Sequence, residues 1–316
     1  MSVTGIGGTE LPGQGLRNTG RRLRGFLEQI LGRSDGIVGL GILGVFTILA
    51  IAPSLFVGPL ETVITASGGP LEGPSAQQPF GTDELGRSLL NLTVHGSRIS
   101  MLIGLLATAI TIVIGAFVGV LSGYAGGFVD TVLMRISDFF LVLPTIVLAL
   151  ILAPIMLEII GSQAQILGIR STLVVVVVVI GLTSWATTAR VIRSQVLSLK
   201  ERMFVDRARV IGSSSLRIMR RHILPNVVNL IVAQSVLTFA TAVFTETTLA
   251  FIGLGDASAP SWGQLLNNAQ SSGAPGLGAW WYIVPPAVGV VLVVLSFTLV
   301  GNALDDVLNP KSGGRR

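Results

Sequence analysis

Long apolar stretches separated by short charged ones set the character of this chain. Six of them have the length of a membrane span, about 17 to 25 residues. They run from Ile37 to Val57, Ile99 to Leu121, Ile136 to Met156, Thr172 to Ala189, Val227 to Ile252 and Trp281 to Leu304. The fourth contains six consecutive valines, Val174–Val179, a run that in water reads as a buried strand. In a bilayer the backbone must satisfy its own hydrogen bonds within a helix or a closed barrel, and five neighbouring spans of helical length exclude the barrel. The pattern therefore predicts an all-α, polytopic membrane protein with six transmembrane helices.

Composition agrees. Of 316 residues, 50% are hydrophobic and 12% charged, whereas soluble domains carry about a quarter charged residues. With both tails on the cytoplasmic side, 18 of the 21 Lys and Arg residues fall inside and 3 outside. The positive-inside rule then predicts a multi-pass cell-membrane protein with cytoplasmic N- and C-termini. The resulting organisation is a cytoplasmic tail (1–35), a first span (36–58), an extracytoplasmic loop (59–97), a five-helix core (98–304) with a cytoplasmic loop at 190–226, and a tail (305–316). No apolar stretch in the first 35 residues is long enough for a cleaved signal peptide. Leu23, Phe26, Ile30 and Leu31 recur there at helical spacing among arginines, which predicts a short amphipathic helix lying on membrane lipid.

Several functional classes drop out. The chain has no cysteine and two widely separated histidines, His95 and His222, so no disulfide framework or metal site is expected. Its basic residues have no interleaved aromatics, which argues against nucleic acid. No nucleophile, base or metal set clusters, so no catalytic residue and no enzyme activity is expected. A G-x-x-x-x-G-K-[ST] loop is missing, and with it the P-loop means of holding ATP. No cofactor is expected in this chain. A secondary transporter would share six spans, but such proteins carry internal repeats, and the two halves of this sequence show none.

Inside the spans, Gly115, Gly119 and Gly123 recur every four residues, placing small residues on one helix face where a neighbour can approach. Pro144 in the third span and Pro285 with Pro286 in the sixth are expected to kink or open those helices. Glu246 is an ionisable group in an apolar run, which marks a functional or inter-helix contact; inter-helix pairing is the favoured reading. In the first loop, "PFGTDELGRS" predicts a helix start with Thr82 as N-cap, Asp83 and Glu84 at its positive end, and Arg87 four residues after Asp83.

The largest cytoplasmic loop contains "VDRARVIGSSSLRIMRRHILPN", with five arginines. Phe204, Ala208 and Ile211 form one helix face, Gly212 interrupts as a hinge, and Ser213 or Ser214 can cap a second helix. Leu216, Met219 and Ile223 make the second apolar face, and Pro225 ends it. Two short helices, apolar on one side and basic on the other, suit a surface that docks a partner.

These residues resemble a known family. "DRARVIGSSSLRIMRRHILP" is similar to the EAA signature of ABC importer permeases, with Asp206 at its Glu, Arg207 and Ala208 at its alanines, Gly212 at its glycine, and Leu224 with Pro225 at its end. His222 stands where the signature usually has Ile, as is common in the dipeptide and oligopeptide branch. "PFGTDELGRS", "DFFLVLPTIVLAL", "ETTLAFIGLGDASAPSWGQLL" and "WWYIVPPAVGVVLVVLSFTLVGNALDDVLNP" resemble the C-type permease of dipeptide, oligopeptide and nickel importers. The resemblance implies the type I ABC importer permease fold. It also implies a B-type permease partner, two cytoplasmic ABC ATPases that bind ATP and Mg, and an extracytoplasmic solute-binding protein. Asp206, Ala208, Gly212, Ser213, Ser214, Leu224 and Pro225 would then form the coupling helix region that meets an ATPase. Peptide is the first substrate implied, with glutathione and nickel as alternatives.

The charge split generates a direct test of topology. Because the chain has no cysteine, Ser75→Cys and Ser214→Cys give single-thiol probes. An impermeant thiol reagent applied to intact cells is expected to label the first and spare the second. Labelling at 214 alone reverses the orientation.

Overall fold

The computed structural model describes residues 31–161, 164–166 and 168–308. The amphipathic helix expected at Leu23, Phe26 and Ile30 and the tail beyond 308 lie outside the described residues. The elements in chain order are α1 (Ser34–Ile51), α2 (Pro53–Val57), α3 (Leu89–Ala125), α4 (Gly127–Val142) and α5 (Thr145–Ile160). A two-stranded antiparallel hairpin, β1 (Gln165–Ile166) and β2 (Ile169–Arg170), leads into α6 (Ser171–Lys200). Then follow α7 (Met203–Val210), α8 (Ser215–Ile218), α9 (Leu224–Leu249), α10 (Trp262–Ser271) and α11 (Trp280–Leu308).

Five runs are long and apolar enough to span a membrane, and α4 with α5 forms a sixth as a pair bent by 94°. The valine run lies within α6, as a lipid environment requires. Large apolar side chains such as Val113, Phe117, Val142 and Ile159 stand exposed on the outer faces, where lipid rather than water is the solvent.

Proline accounts for three departures from the expected spans. The third span is not one helix over 136–156. Leu143 is extended (φ −83°, ψ 131°) as the residue preceding a proline tends to be, and Pro144 opens α5 from the N-cap position. Pro225, expected to end a short helix, instead sits in the first turn of α9, and the chain is helical from Ser215 to Leu254. A π turn at Met219–Ile223 precedes it, and the Asn226 side chain donates to the His222 carbonyl at 2.6 Å. The wider turn accommodates the N–H that proline lacks. Pro285 and Pro286 do not open the sixth span, since both lie inside the continuous α11.

The helix expected to start after Thr82 begins instead at Leu89 and runs on without a break through the second span. Thr82 is not its N-cap. Its hydroxyl donates to the Gly69 carbonyl at 2.6 Å and accepts from the Glu72 amide at 2.8 Å, tying two parts of the loop together. Asp83, fully buried, accepts from the amides of Leu85 and Arg87 and pairs with the Arg87 guanidinium at 2.7 Å. The Tyr282 hydroxyl donates to Glu84, which fastens this loop to the start of α11.

The closest helix pair is α3 with α6. Along α3, Gly115 faces Thr188, Gly119 faces Ala189 and Ile192, and Gly123 faces Val196. Gly181 of α6 returns the contact against Ile110. The glycine stripe is thus covered along its length, as small residues at a membrane helix interface permit.

A Cβ on Gly119 would stand 2.6 Å from the Ala189 carbonyl oxygen, whereas one on Gly44 would have nothing within 4 Å. Gly119→Val is therefore expected to destabilise the protein by about 1–3 kcal/mol through overpacking. Gly44→Val should leave stability nearly unchanged. Thermal unfolding of the two variants in detergent checks the contrast, and equal melting temperatures would contradict this account of the interface.

Candidate functional site

Two surfaces carry functional chemistry: the arginine-rich loop at one end of the bundle, and a cleft near the middle of the spans.

The loop is held rigidly at its root. Val205 and Ala208 of α7, with Ile218, Ile223 and Val227, bury against Tyr124 at the end of α3 and Ile192, Val196 and Leu199 at the end of α6. This differs from the faces expected from sequence. Phe204 and Leu216 are exposed and Ile211 is 80% exposed, while Val205 and Ile218 turn inward. The reason is that the bundle end offers a narrow seat, which takes residues three apart on α7 and leaves the next face to the outside.

Gly212 ends α7 with φ +78°. The Gly212 amide donates to the Arg209 carbonyl at 2.9 Å and the Ser213 amide to the Ala208 carbonyl at 3.0 Å, the paired bonds of a left-handed helix stop. Ser214 takes the N-cap position of α8 without a capping bond from its side chain. Asp206 is exposed and pairs with Arg209 at 3.0 Å. Met203, Val210, Ile211 and Leu216 thus project apolar side chains beside a hollow of about 330 Å³ lined by Ser214, Leu216, Arg217, Arg220 and Arg221. Leu224 and Pro225 are exposed at the start of α9. The tip of the loop is therefore both apolar and basic, an arrangement that can seat in a groove with an acidic rim.

Two carboxylates of α4 tie that helix to the same end of α6. Asp130 accepts from Nε and Nη2 of Arg193, both at 2.6 Å, and Asp138 pairs with Arg190. Lys200 lies over the Tyr124 ring, 5.9 Å from its centroid.

The mid-span cleft has a volume of about 370 Å³. It opens where α4 and α5 break, so Pro144 and Thr145 form one wall. Thr183, Ser184, Thr187 and Thr188 of α6 form the second, and Gln234, Thr238, Thr241 and Thr245 of α9 the third. Every lining side chain is uncharged, and hydroxyls dominate the polar ones. Sequence reading missed this set. Its signal was the spacing of Gln234, Thr238, Thr241 and Thr245, which puts four polar residues on one face of an apolar helix.

Glu246 is 1% exposed and does not line the cleft. Hydroxyls of Ser100 on α3, Ser261 before α10 and neighbouring Thr247 surround its carboxyl. Gly115 and Gly119 likewise lie in the α3–α6 contact. Of the intramembrane residues singled out from sequence, Pro144 alone reaches the cleft, while the loop residues from Asp206 to Pro225 come together at the bundle end.

Comparison with known proteins agrees with this arrangement. Residues 112–313 match the family model described as binding-protein-dependent transport system inner membrane component. The dipeptide transport system permease protein DppC of Bacillus subtilis is 35% identical over 241 residues, covering 75% of this chain and 70% of the relative. The oligopeptide transport system permease protein OppC of the same organism is 33% identical over 240 residues, covering 75% and 73%. The di/tripeptide transport system permease protein DppC of Pseudomonas aeruginosa is 34% identical over 242 residues, covering 76% and 75%. In fold, the chain is similar to a subunit of the MetNI methionine ABC transporter in an inward-facing conformation, with TM-score 0.53, 21% identity, and coverage of 69% of this chain and 95% of that one. With five continuous spans, a sixth formed by the bent pair, and these relatives, the chain belongs to the family of binding-protein-dependent transport system inner membrane components, the permease subunits of ABC importers.

Proposed function

We propose that this chain forms half of the translocation path of an ATP-driven importer of dipeptides or oligopeptides. A second, B-type permease supplies the other half, two cytoplasmic ATPases bind ATP and Mg and hydrolyse the ATP, and an extracytoplasmic binding protein delivers the substrate. The observation that carries this reading is the loop from Met203 to Ile223, seated by its apolar root on α3 and α6 while Val210 and Ile211 project outward.

Mechanically, α6 is the link. It is a single 30-residue helix that carries Thr183 to Thr188 at the cleft and ends at Lys200 beside the loop. Its length is about 45 Å, and a helix packed on α3 moves as a rod. Closure of the ATPases pushes the docked loop, α6 carries the displacement to the cleft wall, and access alternates between the two sides of the membrane. The bend at Pro144 lets α4 follow α6 through the Asp130–Arg193 pair while α5 holds the far end of the cleft. Cytoplasmic placement of this loop and of both termini follows from the charge distribution.

Peptide is favoured over nickel by the cleft itself. Hydroxyls and one amide can exchange hydrogen bonds with peptide groups of any sequence, whereas a hydrated divalent cation gains little from an uncharged wall. The peptide permeases among its relatives point the same way.

The reading is tested by reconstituting the chain with its partner permease, ATPases and binding protein in vesicles. ATP-dependent import of a labelled dipeptide is expected, unaffected by excess nickel or glutathione. Competition by either would transfer the function to that substrate.

Ile211→Glu probes the coupling step without touching the buried root, because Ile211 is 80% exposed. It should leave the permease pair assembled and lower ATPase capture by roughly 10-fold or more, as a lost interface anchor does. Import should fall in parallel. Unchanged ATPase capture and import would remove the loop from the coupling path.

A further inference from the structure

A second cavity, about 440 Å³, lies at the opposite end of the bundle from the coupling loop. It is walled by the same three helical elements as the mid-span cleft. Leu157 comes from α5, Arg170 and Thr172 from the start of α6, and Gly253 to Ser258 from the segment that ends α9. Counting along those helices from Thr145 to Leu157, Thr183 to Thr172 and Thr245 to Gly253, it sits about 12–18 Å from the cleft. On the proposed orientation, that is the extracytoplasmic mouth of the path.

Two opposite charges stand side by side in the wall of this cavity, and the acidic one is incompletely satisfied. Asp256 is 3% exposed. Its Oδ1 accepts from the Ser258 amide at 2.8 Å and the Ser258 hydroxyl at 2.6 Å, while Oδ2 is buried without a hydrogen bond. The nearest cation to Oδ2 is Arg170 Nε at 3.7 Å, on a side chain that is 46% exposed. A charge-assisted hydrogen bond is shorter, about 2.7–2.9 Å. A buried carboxylate oxygen left this way is costly to keep.

The helix ends add to the mismatch. Asp256 follows the C-terminal end of the α9 run at Leu254, the negative end of the helix dipole, where the Asn267 side chain caps the Phe251 carbonyl at 2.7 Å. Arg170 occupies the N-cap position of α6, the positive end of its dipole, where the Ser171 amide is taken by the Ala164 carbonyl at 2.9 Å. Each charge therefore stands at the helix end that disfavours it. A cation at the Asp256 end and an anion at the Arg170 end would correct both.

We propose that the Arg170–Asp256 pair is a recognition site for a zwitterion, in which the substrate's ammonium group takes the place of Arg170 on Asp256 and its carboxylate meets the released Arg170. A peptide with free ends splits the pair and leaves every charge partnered. A peptide blocked at its N-terminus leaves the buried Asp256 without a cation, and one blocked at its C-terminus leaves Arg170 without an anion. The site thereby selects for free termini at the mouth, a selectivity that the uncharged mid-span cleft cannot supply. The inference rests on the peptide reading given above.

The test uses the complex of this chain with its partner permease and ATPases, without the binding protein. Ala257→Cys places a thiol in the cavity wall of a chain that has no cysteine of its own. Modification of that thiol by a neutral reagent is followed on this chain by mass spectrometry. Alanyl-alanine at millimolar concentration is expected to slow modification, while its N-acetylated and C-amidated forms do not. Adding Asp256→Asn should raise the protecting concentration by roughly 30-fold or more, the loss expected when a buried charge partner is removed. It should also erase the difference between free and N-acetylated peptide. Adding Arg170→Gln should erase the difference between free and amidated peptide, and at this half-exposed position the variant is expected to assemble even where Asp256→Asn does not. Equal protection by free and blocked peptides, no protection by any of them, or protection indifferent to both substitutions overturns the site. Dipeptide import by the unmodified transporter is measured separately. Import without selective protection sinks the zwitterion site alone, and absence of import sinks the peptide reading.

Discussion

Everything else in this protein is arranged around the close approach of α3 and α6. Apolar burial drives little association between helices in lipid, so contact depends on how near two backbones can come. Gly115, Gly119 and Gly123 bring α3 within van der Waals reach of Thr188, Ala189, Ile192 and Val196. That contact braces α6 along its length, with one end at the arginine-rich loop and its middle at the cleft. A side chain larger than hydrogen at the centre of the interface would separate the two helices and move both functional surfaces at once.

The two ends of the bundle use charge differently. At the arginine-rich-loop end, Asp130–Arg193 and Asp138–Arg190 cross between α4 and α6, the first of them through two hydrogen bonds. Such pairs hold orientation more than they add stability, because both partners remain partly solvated. At the far end, Arg170 and Asp256 are looser and more unequal in burial. Between them the mid-span cleft is walled by uncharged side chains, its polar ones being hydroxyls and the Gln234 amide.

Glu246 takes a different part from either. Its carboxyl is enclosed by Ser100, Ser261 and Thr247, so it joins α9 to α3 and to the segment before α10. Trp262 extends the same junction, donating its amide to the Ser100 hydroxyl at 3.2 Å and its indole N–H to the Thr93 carbonyl at 3.0 Å. This cluster holds the end of α9 against α3.

Much of this was legible in the chain alone, because lipid imposes a one-dimensional rule. A run of about 20 apolar residues without an internal break is driven to be a helix whatever surrounds it, so the helical state of Val174–Val179 and the glycine stripe follow from local sequence, as does the number of spans once the bent pair is taken as one. The left-handed stop at Gly212 does too, since few other residues adopt φ +78° without strain. Tertiary structure alone decided which faces meet. Proline restricts local geometry but not its outcome: Pro144 breaks a span by 94°, while Pro225 is absorbed by a π turn, and Pro285 and Pro286 stay within a continuous helix. The inward turn of Val205 in place of Ile211, the convergence of α6 and α9 hydroxyls on one cleft, and the meeting of Arg170 with Asp256 all join residues far apart in the chain. Helical periodicity assigns a residue to a face of its own helix, but only the contacts between helices determine what that face opposes.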